Sequence, residues 1–324
     1  MELSWSETVG RQEWRRDAEQ WINGVLSEKG AAATGPIDQP RIRPWSTQLI
    51  VPTDVGNLWF KANCPAMAFE PRLQRVLGEL IPGDVEAPFA TEETRGWMLT
   101  KDRGTTLGER HEPTLMDWKE VVAHAARAQR VLADDKKQLT DTGLPDFSPP
   151  TVVERFDRLV ERLSELPKDH PSHVSATLAA RFGRSRTRVA EAAQQLDESP
   201  IPSSLQHGDL HPWNVFVLDD GLRFFDFGDA QWAYALEVLS VPYGWIKART
   251  ELPWEFVLEA YREHWSDLVS VRDFDALWSA TWLTQPVNRC ATWWSALQGA
   301  SAAEWAEWGD APRAHLTNVL ETLR

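Results

Sequence analysis

The run His207-Gly208-Asp209-Leu210-His211-Pro212-Trp213-Asn214 puts an acid, an amide and two imidazoles into one short stretch of a 324-residue chain. Its spacing is H-x-D-x-x-x-x-N. Val215 to Leu218 follow as a strand-like apolar run, and Asp219-Asp220-Gly221 is hairpin-turn chemistry. Leu222 to Phe225 return as the partner strand and end in Asp226-Phe227-Gly228. A hairpin of that length brings Asp226 back beside the loop that holds Asp209. An ordinary turn preceded by a polar loop would need neither the amide nor the second acid at this spacing. Together these groups suit phosphoryl transfer, which asks a protein to position an acceptor and neutralise phosphate charge. Asp209 is placed to orient an acceptor hydroxyl and take its proton. Asp226 and the amide oxygen of Asn214 are hard oxygen ligands of the kind Mg²⁺ takes. His207 reads as a packing and hydrogen-bonding prop. His211 has two open readings, an approach to phosphate or a locally satisfied loop histidine.

A catalytic loop, a hairpin and an acid at the hairpin's end form the layout that kinases use. The loop resembles the H-G-D-x-H-x-x-N loop of the aminoglycoside phosphotransferase and choline kinase family of small-molecule kinases. Asp226-Phe227-Gly228-Asp229-Ala230 resembles that family's D-[WF]-G-[DE]-A segment. The resemblance runs from about Arg43 to the last helices and is strongest over residues 205–230. It implies a protein-kinase-like fold and the use of ATP with Mg²⁺. It also implies that Asp209 is the catalytic aspartate and that Asn214 and Asp226 are the metal ligands. Protein kinases carry H-R-D at this loop, so the small-molecule branch is the closer likeness.

The nucleotide would need a lysine on a strand, tied to a helix glutamate. Lys61 ends Leu58-Trp59-Phe60, and Glu70 opens the next helix. Lys61 is the candidate to reach the phosphates and Glu70 the group that holds its ammonium. No G-x-G-x-x-G loop precedes Lys61. The corresponding turn is Pro44-Trp45-Ser46-Thr47, where backbone amides with Ser46 or Thr47 would cover the phosphates. Leu99-Thr100-Lys101-Asp102 would link the lobes and offer backbone, at Thr100 above all, to adenine. A plain strand end is the alternative. Asp229 either sits near the cleft or caps the next helix. The family often has another aspartate shortly afterwards, and only Glu237 stands there.

The elements that must position these groups change character along the chain. Trp14, Ala18, Trp21 and Val25 recur at helical spacing between Gly10 and Gly30. Residues 31–44 are rich in Ala, Gly and Pro and read as a loop. Thr47 to Val51, Leu58 to Lys61 and Gly96 to Thr100 read as strands, with a helix over Glu70 to Leu80. Helical periodicity then covers Leu115 to Leu132, Thr151 to Leu166 and Val174 to Leu196, and resumes from Ala235 to Arg324. The expected fold class is α+β with two lobes: a small strand-rich N-terminal lobe over 1–101 and a larger, mainly helical lobe over 102–324. The cleft between them is the natural ligand site.

Bulk composition narrows the partners. The chain is 42% hydrophobic and 25% charged, which is ordinary globular composition. Its formal net charge of −14 repels nucleic acid and anionic membranes. A small molecule offering a hydroxyl, or an amine, as the acceptor group is the expected partner. Cys64 and Cys290 lie far apart with no metal-type spacing, which points to a reduced cytoplasmic setting. The first residues lack an apolar signal core, and no run reaches the ~20 apolar residues of a membrane span. Two roles stand open for the 18 tryptophans: core packing, or an aromatic wall for the acceptor. Glu251, Glu255, Glu259, Glu263, Asp267 and Glu304 read as a solvated helix face or as acidity for an aminoglycoside-like substrate. Two further readings keep the same fold: a catalytically silent nucleotide-binding regulator, and a protein kinase. The latter lacks both the glycine loop and an A-P-E segment.

Overall fold

Strand alternation decides which way the N-terminal lobe faces. The computed structural model describes residues 3–321. Five antiparallel strands, β1 (Asp38–Ile42), β2 (Ser46–Val51), β3 (Leu58–Asn63), β4 (Ala90–Glu92) and β5 (Trp97–Lys101), pair in the order β1-β2-β3-β5-β4. Side chains alternate across a sheet with period two. Leu49, Phe60 and Leu99 therefore point to one face and are fully buried there. Gln48, Lys61 and Met98, paired across β2, β3 and β5, point to the other. Two helices precede the sheet, α1 (Trp5–Val9) and α2 (Gln12–Glu28). The apolar stripe Ala18, Ile22 and Leu26 of α2 packs on the first face. Ile22 and Leu26 contribute about 1.5–3 kcal/mol each by burial. Trp14 and Trp21 meet Phe60 and Trp97 edge-on, with centroids 5.8 to 6.1 Å apart. The leader helix thus seals the outer face and leaves Lys61 on the inner one.

The helix α3 (Glu70–Leu80) lies between β3 and β4. The larger lobe holds α4 (Leu107–Arg110), α5 (Leu115–Leu132), α6 (Lys136–Thr140), α7 (Val152–Ser164) and α8 (Ala176–Asp197). It continues with α9 (Ser240–Arg249), α10 (Trp254–Arg262), α11 (Val271–Ala296), α12 (Ala302–Trp308) and α13 (Ala311–Glu321). Between α8 and α9 run two short antiparallel pairs. β6 (Ser203–Gln206) pairs β9 (Gln231–Tyr234), and β7 (Val215–Leu218) pairs β8 (Gly221–Phe224). The molecule is thus α+β, with an antiparallel sheet in a small N-terminal lobe and a helical C-terminal part. No described helix is long and apolar enough to cross a membrane.

The sequence reading differs from this fold at β1, which falls inside the stretch read as a loop. β1 is an edge strand, mostly exposed, with Pro40 inside it and a register shift between Asp38 and Arg41. It therefore lacks the alternating apolar pattern that marks a half-buried strand. β4, β6 and β9 also escaped that reading, since none is flanked by the hairpin-turn chemistry that marks β7 and β8.

The turn between β1 and β2 does not lie over the cleft as expected. Its Trp45 ring packs edge-on against Trp293 of α11 and Trp308 of α12, with centroids at 5.5 and 5.4 Å. Cys64 and Met67 after β3 share a small apolar cluster with Ala296 of α11, Trp5 and Trp45. The two lobes are therefore clasped at the tip of this hairpin. Ser46 is buried opposite Asn63, and the Thr47 hydroxyl donates to the Arg41 carbonyl at 2.8 Å. Both are held within the sheet, and neither lines the cleft cavity.

Candidate active site

The catalytic-type loop begins where β6 ends, and its backbone is held from three sides. Gln129 of α5 donates to the carbonyls of Leu205 and Ala235 at 2.9 and 3.0 Å, and the Tyr261 hydroxyl donates to its side-chain oxygen at 2.6 Å. His207 accepts from the Asp209 amide through Nδ1 at 3.3 Å. Its Nε2 therefore carries the proton and donates to the Phe225 carbonyl at 3.0 Å. Burial pushes its basicity down, which agrees with a neutral ring. His207 is thus the prop that its sequence position suggested.

Gly208 has φ +83°, and a Cβ there would lie 2.0 Å from the Asp229 carbonyl oxygen. Only glycine allows the loop to approach the 226–229 segment this closely. Asp226 itself has φ +66°, the one described non-glycine residue with positive φ. That left-handed turn aims its carboxylate at the inner face of the sheet.

There Lys61 Nζ stands 2.7 Å from Asp226 Oδ1 and 2.6 Å from Glu70 Oε2. Glu70 is fully buried and also accepts from Asn63 Nδ2 at 2.9 Å and from the Phe227 amide at 2.8 Å. The α3 glutamate therefore links β3 to the segment after the hairpin. Burial alone would strip the lysine proton, but Asp226 and Glu70 outweigh it and hold Lys61 charged. Burial likewise opposes ionisation of Asp226, and Lys61 reverses that, so its carboxyl titrates below the usual range.

Asp209 is one-third exposed. Its Oδ2 lies 3.3 Å from His211 Nε2, and its Oδ1 lies 3.8 Å from Arg289 Nη2. Burial raises its pKa, but the His211 contact and the Arg289 guanidinium outweigh this and hold it at about 2. Asn214 donates through Nδ2 to the Asp209 carbonyl at 2.9 Å. Its amide nitrogen is thereby committed, and the oxygen is left for a cation.

A cavity of about 510 Å³ lies between the lobes. Its walls include Gln48, Lys61 and Thr100 from the sheet, Thr106 from the segment between lobes, and Phe216 and Asp226 from the hairpin. Thr100 therefore lines it as expected, and Ser46 does not. Among the described residues, no group of three or more His, Cys, Asp or Glu side chains is arranged as a self-contained metal site. The Asn214 backbone carbonyl accepts from the Phe225 amide at 3.3 Å, which puts Asn214 beside the Asp226 turn, and a carboxylate and an amide oxygen are hard donors of the kind Mg²⁺ takes.

The model of the phosphotransferase enzyme family APH matches residues 65–286. The chain belongs to that family. No curated protein matches the sequence. Among solved structures, the phosphotransferase is similar to a Plasmodium vivax ethanolamine kinase at 14% identity and TM-score 0.63, covering 89% of this chain and 82% of that one. It is similar to a choline kinase from Cryptosporidium parvum at 12% identity and TM-score 0.61, covering 94% and 95%. A macrolide 2'-phosphotransferase type I matches at 14% identity and TM-score 0.59, covering 92% and 96%. At these identities the likeness is one of fold.

Several residues of the phosphotransferase site carry no signal in the sequence. Arg289 donates to Asp229 Oδ2 at 2.8 Å and faces Asp209 from α11. Asp229 is thus held by Arg289, it is followed by β9 rather than by a helix it could cap, and it does not line the cavity. Gln129 and Asn63 are likewise invisible, both being common residue types: Gln129 lies far along the chain from Leu205 and Ala235, and Asn63 orients Glu70. Glu237 is buried away from the cleft, accepting from Thr284 Oγ1 at 2.5 Å and Asn288 Nδ2 at 2.8 Å. Asp267 pairs with Arg130, and Glu304 caps α12. The solvated-face reading fits both of these acids.

Proposed function

We propose that this phosphotransferase moves the γ-phosphoryl group of ATP, taken as its Mg²⁺ complex, to a hydroxyl of a small molecule. The observation that carries this reading is the bridge of the buried Lys61 between Glu70 and Asp226, formed across the lobes at the cavity that Thr100 also lines. A charged lysine held at the wall of a nucleotide-sized cavity is placed to neutralise phosphate oxygens. Lys61 binds the phosphates, and Glu70 keeps its ammonium aimed. The segment at Thr100 presents backbone to the base. Asp226 and Asn214 hold the magnesium ion, which supplies charge neutralisation at the phosphates when bound. Asp209 accepts a hydrogen bond from the acceptor hydroxyl, orients it, and takes its proton late in transfer. An aspartate held at about 2 stays ionised throughout the neutral range and is open to accept that hydrogen bond.

Asp209→Asn tests the assignment. Turnover is expected to fall by about 10²–10⁴-fold, while calorimetry still finds Mg·ATP binding. Undiminished phosphate transfer in that variant would remove Asp209 from the mechanism. A screen with Mg·ATP across sugars, amino alcohols, nucleosides, macrolides and aminoglycosides identifies the acceptor. Nucleotide binding with no transfer to any of them would favour the silent regulator instead.

A further inference from the structure

All 18 tryptophans of the chain are described, and 17 of them are buried or half-buried. The exception is Trp213, at 39% exposure, and it sits inside the catalytic loop four residues from Asp209. An exposed indole at that position is held rather than loose. A Cβ on Gly108 of α4 would lie 2.5 Å from the Trp213 ring, so the glycine leaves the room in which the ring rests on that helix. Trp245 of α9 stands beside it, with centroids 5.0 Å apart. The ring of His211 is 6.0 Å from Trp245, and its Nε2 contacts Asp209 at 3.3 Å. One aromatic surface therefore runs from α9 to the proposed base. None of its three rings lines the nucleotide-sized cavity.

Charge narrows what this surface can hold. Arg249 already covers the face of Trp245 at 3.9 Å, so the cation–π position there is filled. Arg289 neutralises the acidic pair Asp229 and Asp209 on the opposite side.

We infer that Trp213, seated on Gly108 and flanked by Trp245 at an interplanar angle of 51°, forms a stacking shelf that binds the flat face of a neutral, ring-bearing hydroxyl acceptor, a sugar-like ring rather than an acyclic amino alcohol or a polycation. This inference rests on the kinase reading above. The shelf selects the acceptor and takes no part in holding nucleotide.

The test measures phosphate transfer from Mg·ATP to neutral methyl glycosides and nucleosides, set against choline, ethanolamine and kanamycin. Transfer is expected to favour the neutral rings. Trp213→Ala is expected to raise the acceptor KM about tenfold, the effect of one lost stacking contact. Trp213→Phe should recover most of that, with the KM for Mg·ATP the same in all three proteins. Trp213→Leu keeps the bulk against Gly108 without a flat face, and replaces the alanine variant if that one does not fold. Turnover confined to choline, ethanolamine or kanamycin overturns the inference, and so does a wild-type acceptor KM in the alanine or leucine variant. If nothing is phosphorylated, the kinase reading fails on its own. The shelf is then judged by saturation-transfer NMR with the same glycosides. Ring-proton signals lost in Trp213→Leu uphold it, and absent or undiminished signals overturn it.

Discussion

Asp226 is bound by three constraints that meet at one residue. Its backbone is left-handed, which costs a non-glycine residue roughly 1–2 kcal/mol, although aspartate tolerates it better than most. Its carboxylate is about one-third exposed and loses part of its hydration, and Lys61 compensates for both the charge and the geometry. Strain of this kind persists where the surroundings over-determine it, and such places are commonly functional. Removing the carboxylate should therefore act on nucleotide binding before it acts on folding. Asp226→Ala is expected to weaken Mg·ATP binding by at least about tenfold, or ~1.4 kcal/mol. Calorimetry that returned the wild-type affinity would exclude Asp226 from metal binding. The acid was legible in the sequence because hairpin, turn and D-F-G lie in one continuous stretch. Its partner Lys61, 165 residues away, was legible as the strand lysine held by Glu70, while its contact with Asp226 was not.

At the scale of elements, the loop between β6 and β7 and the segment after β8 fit together only through Gly208. Alanine at that position meets two separate penalties, a positive φ and a backbone carbonyl 2.0 Å from its Cβ. The first costs roughly 1–2 kcal/mol. The second cannot be relieved without moving residues 226–229. Gly208→Ala should therefore lose at least about 2 kcal/mol of stability in urea unfolding, together with most of its turnover. A stable, active variant would show that the loop does not need its close approach to Asp229. The helices were the most legible elements: Glu70–Leu80 and Leu115–Leu132 match their sequence periodicity end to end. β1 was not legible, because an exposed edge strand with a proline and a bulge has no pattern to display.

For the molecule as a whole, two features tie the lobes and the helical core to the site. One is the clasp of Trp45 onto Trp293 and Trp308, which fixes the hairpin tip against α11. The other is the buried network of Glu237, Thr284, Asn288 and Arg155, which joins the segment after β9 to α7 and α11. Burial pushes the Glu237 carboxyl up from 4.5 to about 7, against its hydrogen bonds and Arg155. A raised carboxyl pKa means that the folded state binds the proton more tightly than the unfolded state. Stability from this group is full below about 4.5 and declines as pH rises to about 7. The difference amounts to roughly 3 kcal/mol at 1.36 kcal/mol per unit. Glu237→Gln should flatten that part of the profile in urea unfolding across this range. An unchanged slope would assign the pH dependence to other groups.

The linear chain determined the chemistry and the order of parts. A loop, a hairpin and two acids within 24 residues are local, and local spacing survives in sequence because the backbone between them is short. The strand that carries Lys61 and the helix that opens with Glu70 were equally readable from period and caps. Tertiary structure decided what faces what. It brought Arg289 of α11 to Asp229 and Asp209, set Gln129 under the loop, pinned Trp45 away from the cleft, and left Trp213 alone among the tryptophans in the open. Such contacts join residues of common type across long separations. They follow from how amphipathic faces pack, and no local spacing encodes them.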